Sequence, residues 1–237
     1  MKKEMFSGLE CLHVYQFKQL ISNFEVSMMH QKLVSTAGKD LQAGGKVLIM
    51  LHGRGGSAAD ILTLAEHLKV EDFTLLAPQA TQNTWYPHSF LAPPAQNEPW
   101  LSSALQLLNE LLEDVLSQGI PAEHVYFLGF SQGACLTLEF VTRNAQKFGG
   151  VVAFTGGLIG DRIYPERYKG DFEGTHVFIG TSDPDFHVPV GRVRETTSLL
   201  ESRNASVLTK VYPGMGHTIS AEEIEWANKW VFKPGEG

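Results

Sequence analysis

Along most of this chain, short continuous apolar runs alternate with longer stretches whose apolar residues recur every three or four positions. Lys46–Leu51, Phe73–Ala77, His124–Phe130, Val151–Phe154, His176–Ile179 and Ser206–Tyr212 are short runs of four to seven residues. Their length and continuity predict strands, most of them buried on both faces. A further short strand is expected at Gln31–Ser35, before the turn Ala43-Gly44-Gly45. Between the strands, Leu101, Leu105, Leu108, Leu112 and Val115 step by four and three. That spacing lines one face of a helix, expected over Asn97 to Gln118 and stopped by Gly119. Other helices are expected over Ala58–His67 behind Ser57 as N-cap, Gln132–Lys147, Pro189–Ser202 and Ala221–Phe232. Helices alternating with buried strands predict an α/β fold with a mostly parallel sheet covered on both faces.

Two segments break the alternation. Gln79 to about Gln96 is long for a loop in a compact domain and carries Trp85, Tyr86 and Phe90 among prolines. Long loops of this kind tend to serve a site, so these three aromatics are expected to line a substrate pocket. Residues 1–27 fit the pattern poorly and are read as a leader without a catalytic part. Residues 28–237 are read as one domain.

Composition narrows the classes. The 237 residues are 43% hydrophobic, enough for a sizeable core, and carry a formal net charge of -7. No basic cluster stands out, which argues against nucleic acid or an anionic membrane as partner. The two cysteines, Cys11 and Cys135, do not make a disulfide framework. No apolar run is long enough to span a bilayer, and charged and polar residues interrupt the N-terminal stretch, so a cytoplasmic protein is expected. There is no Cys/His cluster with ligand spacing and no phosphate- or dinucleotide-binding glycine motif; chemistry without a cofactor is expected.

The candidate chemistry centres on Gly129-Phe130-Ser131-Gln132-Gly133, a G-x-S-x-G motif between a strand and a helix. A serine at such a turn stands clear of the sheet, and the N–H after it lacks an intrahelical partner. A serine hydroxyl needs a base within hydrogen-bond reach and a group that orients the base. In this architecture the chain order is serine, acid, histidine, each in a loop at a strand's C-terminal end. His217, in Tyr212-Pro213-Gly214-Met215-Gly216-His217, satisfies that order as base. The acid is sought in Gly180-Thr181-Ser182-Asp183-Pro184-Asp185, where Asp183 is favoured over Asp185. The oxyanion donors are expected to be the backbone N–H groups of Gln132 and of Arg54, the latter in His52-Gly53-Arg54-Gly55-Gly56. His52 is expected to make structural hydrogen bonds, and Cys135 to be a small packing residue.

On these residues, together with Ala77-Pro78, the chain from about Lys46 onward resembles the phospholipase/carboxylesterase family of α/β-hydrolases. Acyl-protein thioesterases and bacterial carboxylesterases belong to that family. The resemblance implies Ser131, Asp183 and His217 as catalytic triad, Arg54 and Gln132 as oxyanion donors, and hydrolysis of carboxylic or thioester bonds through an acyl-enzyme. The acid loop Asp183 to Pro189 is longer than the compact D-P-x-V-P form of the thioesterases, and Trp85-Tyr86-Pro87 resembles a bacterial subgroup. The expected activity is therefore a carboxylesterase for small, short-acyl esters; a long-chain lysophospholipase or thioesterase and a silent binding protein are the alternatives. A small-molecule ester is the expected partner, in a monomer or homodimer without stable membrane insertion.

Overall fold

The computed structural model describes residues 29–233; the leader expected over residues 1–27 lies outside them. The strands are β1 (Val34–Gly38), β2 (Lys46–Leu51), β3 (Phe73–Pro78), β4 (Val125–Phe130), β5 (Gly150–Phe154), β6 (His176–Asp183) and β7 (Ser206–Pro213). They form one sheet in the order β1-β3-β2-β4-β5-β6-β7. Only β1 runs antiparallel, pairing Val34 with Pro78 of β3. The helices are α1 (Ala58–Leu62), α2 (Trp100–Ser117), α3 (Gln132–Arg143), α4 (Val190–Glu201) and α5 (Ala221–Trp230).

Alternation within each strand divides the core in two. Successive side chains point to opposite faces of a sheet. In β2, Val47, Ile49 and Leu51 meet Leu105 and Leu108 of α2 and Leu136 of α3 in one cluster. Leu48 and Met50 join Ile61 of α1 and Ala227 of α5 in the other. This two-sided burial is why β2 through β6 read as continuous apolar runs.

Sequence and structure differ mainly at the ends of elements. The helix expected over Ala58–His67 is an α-helix only to Leu62, and Thr63–His67 continues as 3₁₀ turns. The first strand begins at Val34 rather than Gln31. The α3 helix stops at Arg143, and β6 continues past Ile179 to Asp183. The last difference matters for the site. Gly180, Thr181 and Ser182 do not look like strand interior, yet they pair with Lys210, Val211 and Tyr212 of β7 and are buried.

The chain leaves β2 toward β3 on one side and leaves β4 toward β5 on the other. The crevice above the C-terminal ends of β2 and β4 is thus a topological switch point, where open α/β sheets bind ligands.

Candidate active site

Ser131 sits at the top of the central strand β4 and at the start of α3, with φ 54° and ψ -117°. A non-glycine residue holds such a conformation only where its surroundings impose it. Here they do. The Ser131 N–H donates to the Phe154 carbonyl at 2.9 Å, and its carbonyl accepts from the Cys135 N–H at 3.0 Å. A Cβ on Gly129 would run into the Gly133 carbonyl, and one on Gly133 into the Leu51 carbonyl. Gly129 is therefore required by the tightness of the turn, as the motif predicts, and Gly133 by the close approach of the end of β2.

His217 lies in the loop between β7 and α5. Gly214 and Gly216 both take positive φ, 64° and 81°. The loop is tied to β6, with the Gly214 N–H on the Asp183 carbonyl at 3.0 Å and the Gly216 N–H on Ser182 Oγ at 2.9 Å. This brings His217 Nε2 to 2.7 Å from Ser131 Oγ. On its other side, His217 Nδ1 lies 2.7 Å from Oδ2 of Asp185. A carboxylate only accepts, so Nδ1 carries the proton and Nε2 is left to accept from the serine hydroxyl.

The acid on His217 is thus Asp185, which corrects the sequence-based preference for Asp183. Asp183 is the last residue of β6, paired with Pro213, and is exposed. Its side chain has no hydrogen-bond or ion-pair partner among the described residues. Because the strand runs to Asp183, the loop proper starts only at Pro184, with Asp185 in it. The Asp185 side chain is fully buried, and its Oδ1 accepts from the N–H groups of His187 at 2.7 Å and Val188 at 3.0 Å. Burial pushes this carboxyl up, but the bonds from His217 and the two N–H groups outweigh it and hold it below the usual carboxylate range. One signal in the sequence points to the same residue. Counted from Asp185, the run Asp185-Phe186-His187-Val188-Pro189 has the compact D-x-x-V-P spacing.

Gln132 is the first residue of α3, so its N–H has no intrahelical acceptor. The loop after β2 lies beside it. A Cβ on Gly53 would come 3.5 Å from Ser131 Cβ and 3.2 Å from Phe130 Cδ1, so this backbone approaches the nucleophile closely. The next residue, Arg54, lines the same cleft as Ser131. Its side chain does not reach for a substrate. Nη1 donates to Thr84 Oγ1 and the Pro87 carbonyl, and Nη2 to the carbonyls of Tyr86 and His88, all within 2.8–3.0 Å. The Gln132 side chain holds the same loop. Its Oε1 accepts from the Trp85 N–H at 2.9 Å, and its Nε2 donates to the Tyr86 carbonyl at 2.7 Å.

The cleft over Ser131 encloses about 640 Å³. Tyr86 and Phe90 line it as expected, with Leu91, Phe186, His187 and Val188. Trp85 does not, which corrects its assignment to the pocket. It is fully buried, donates from Nε1 to the His52 carbonyl at 2.9 Å, and packs against the rings of both His30 and His52. An indole that can satisfy its N–H inside the protein is better placed in the core than in the cleft. Cys135, at the cleft floor, is buried, and burial raises its thiol to about 12, so it stays protonated. Among the described residues no helix is long and apolar enough to cross a membrane.

Comparison with known proteins agrees with this architecture. A profile of the phospholipase/carboxylesterase family matches residues 37–233. A probable carboxylesterase of Oryza sativa is 30% identical over 141 residues, which are 57% of this chain but only 51% of the rice protein. An acyl-protein thioesterase 1 of Yarrowia lipolytica is 26% identical over 204 residues, 78% of this chain and 89% of the yeast protein. The crystal structure of a phospholipase/carboxylesterase from Dyadobacter fermentans superposes with a TM-score of 0.85 at 55% identity, covering 86% of this chain and 98% of that one. The carboxylesterase of Bacillus cereus shares the fold, with a TM-score of 0.69 at 23% identity over 87% of this chain and 95% of its own. A seven-stranded, mostly parallel sheet, a serine elbow on its central strand and a profile match over residues 37–233 together show that the chain belongs to the phospholipase/carboxylesterase family, ester hydrolases of the α/β-hydrolase fold.

Proposed function

We propose that the chain is a serine carboxylesterase that cleaves small, short-acyl esters through an acyl-enzyme on Ser131. The observation that carries this reading is the continuous relay Ser131–His217–Asp185, with both links at 2.7 Å. His217 Nε2 takes the serine proton as Oγ bonds to the ester carbon. The negative charge that develops on the carbonyl oxygen falls to the Gln132 and Arg54 N–H groups. Collapse of the adduct breaks the ester C–O bond, and His217 returns the proton to the departing alkoxide. Water then repeats the sequence against the acyl-enzyme and releases the carboxylic acid. Asp185 holds the imidazole tautomer and stabilises the imidazolium, in the role first assigned to Asp183.

The short-acyl preference is supported by the make-up of the cleft. His88, Ser89 and His187 line it together with Phe90 and Leu91, a mixture that suits a small ester with polar groups better than a long aliphatic chain. A second reading, a long-chain lysophospholipase or thioesterase, draws support from Phe186, 96% exposed at the rim, and from relatives named acyl-protein thioesterases. A small-molecule ester as partner, a cytoplasmic location, and a monomer or homodimer remain part of the proposal. Fractionation tests the location and light scattering the assembly.

Initial rates on p-nitrophenyl esters from acetate to palmitate, with Ser131→Ala as blank, test the proposal. An optimum at short chains that vanishes in the variant is expected. A palmitate optimum would transfer support to the second reading, and full activity in S131A would end both.

A further inference from the structure

His52 is 1% exposed, and both of its ring nitrogens are engaged, one with the loop that carries Arg54 and the other with the strand-end segment after β3. Nε2 receives the Ala80 N–H at 3.1 Å, with the Gln79 side-chain amide at 3.3 Å. A backbone N–H can only donate, so Nε2 is the acceptor and Nδ1 carries the proton. That Nδ1–H donates to the carbonyl of the next residue, Gly53, at 2.7 Å. The same carbonyl accepts from the Gly56 N–H at 3.1 Å. The His52 carbonyl is pinned too, by the Trp85 indole N–H.

These bonds determine how one peptide unit faces. In a trans peptide the C=O and the following N–H point in opposite directions. The Gly53 carbonyl is drawn back to its own imidazole, so the Arg54 N–H projects the other way. The Gly53–Arg54 unit lies against Ser131 and the cleft. Glycine at 53 leaves the peptide little intrinsic resistance to turning over, and a turned unit would present an oxygen lone pair where the oxyanion forms. We propose that His52 is a positioning residue for the oxyanion hole, whose Nδ1–H locks the Gly53–Arg54 peptide with the Arg54 N–H toward the substrate. This inference rests on the serine esterase reading. Neutral imidazole is the form in which Nε2 can accept from Ala80 while Nδ1–H donates to Gly53, and burial, partly countered by the bond to Gly53 and by the charge of Asp60, lowers the His52 pKa and favours that form.

The two nitrogens can be separated by substitution. In His52→Asn the side-chain amide falls near the Nδ1 position and can still donate to the Gly53 carbonyl. In His52→Gln the terminal amide falls near Nε2, keeping a partner for Ala80 while leaving the Gly53 carbonyl to Gly56 alone. The readouts are kcat and KM on p-nitrophenyl butyrate, the rate at which a fluorophosphonate labels Ser131, and the melting temperature. Loss of one oxyanion donor predicts that H52Q falls about 100-fold in kcat and in labelling rate with KM little changed, while H52N stays within a few-fold of wild type. Equal losses in the two variants, losses that follow melting temperature, or a change in KM alone would overturn the role. If H52Q does not fold, His52→Ala with added imidazole replaces it; recovery of kcat supports the role and no recovery overturns it. Wild-type protein that neither turns over an ester nor labels at Ser131 would instead overturn the esterase reading itself, and this inference with it.

Discussion

Exchanging the two candidate acids, one at a time, for asparagine separates a carboxylate that works on His217 from one that only sits nearby. In Asp185→Asn the two backbone N–H groups of His187 and Val188 can keep their acceptor, because the amide oxygen can take the place of Oδ1. The amide nitrogen then stands where Oδ2 stood, 2.7 Å from His217 Nδ1. It can only donate, so it favours the tautomer with the proton on Nε2, which can no longer accept from Ser131. The corresponding exchange in a well-studied serine protease lowers kcat by about 10⁴, or about 5.4 kcal/mol at ~1.36 kcal/mol per decade. The same order is expected here. Asp183→Asn touches an exposed side chain without a partner among the described residues, and a surface change of that kind stays within about 0.5 kcal/mol, roughly twofold in rate. The assay is kcat on a short-chain p-nitrophenyl ester, with circular dichroism to confirm that both variants fold. A larger loss in D183N than in D185N, from folded proteins, would refute the geometric argument.

Other contacts of the site and the core carry expectations of their own. Arg54→Ala removes four hydrogen bonds to the 84–88 segment but keeps the backbone N–H; thermal melts should register a loss of about 2 kcal/mol, and KM should rise more than kcat falls. Gly156→Ala would place Cβ 2.6 Å from the Ala134 Cβ and 2.8 Å from its carbonyl carbon, just behind the serine turn; a loss of about 3 kcal/mol or a failure to fold is expected in denaturant titration. Burial lowers the pKa of both His30 and His52 below the ordinary 6.5, so the unfolded chain binds more protons than the native one in that range. Their contribution to stability is present above 6.5 and is lost as pH falls through the lowered folded values; the melting temperature of H52N should fall less steeply on acidification than that of wild type. Burial raises the Glu223 pKa, and one of its oxygens has no hydrogen-bond partner among the described residues, so Glu223→Gln should gain in melting temperature relative to wild type as pH rises above the ordinary 4.5.

What the sequence reveals of this molecule depends on how far each feature is local. Strands β2 to β5 are apolar on both faces, so their existence and order are visible in the residues alone. The serine turn is legible because Gly129 answers a steric need inside the five-residue motif itself, where a Cβ would meet the Gly133 carbonyl. The acid is not legible in the same way. Thr181 and Ser182 look like loop residues, and only pairing with β7 buries them and carries the strand to Asp183. Four residues of extra strand, Gly180 to Asp183, draw Asp183 into the ladder and leave Asp185 as the loop carboxylate that reaches His217. Trp85 fails for a related reason. Nothing near it in sequence announces that the His52 carbonyl, 33 positions away, will accept from its indole N–H. Tyr86 and Phe90, on the same loop, do line the cleft.

The Tyr86 carbonyl receives Arg54 Nη2 at 2.9 Å and Gln132 Nε2 at 2.7 Å. The two residues proposed to hold the oxyanion by their backbones thus grip one wall of the cleft with their side chains. Anyone wishing to alter substrate range by grafting another loop over 84–90 would disturb the machinery of rate at the same stroke. A graft that preserves this acceptor and the buried Trp85, Tyr86 and Phe90 could still exchange the exposed side chains of His88 and Ser89. One that drops it would yield an enzyme slow on every ester, old or new, and a selection for altered preference alone would discard it for the wrong reason.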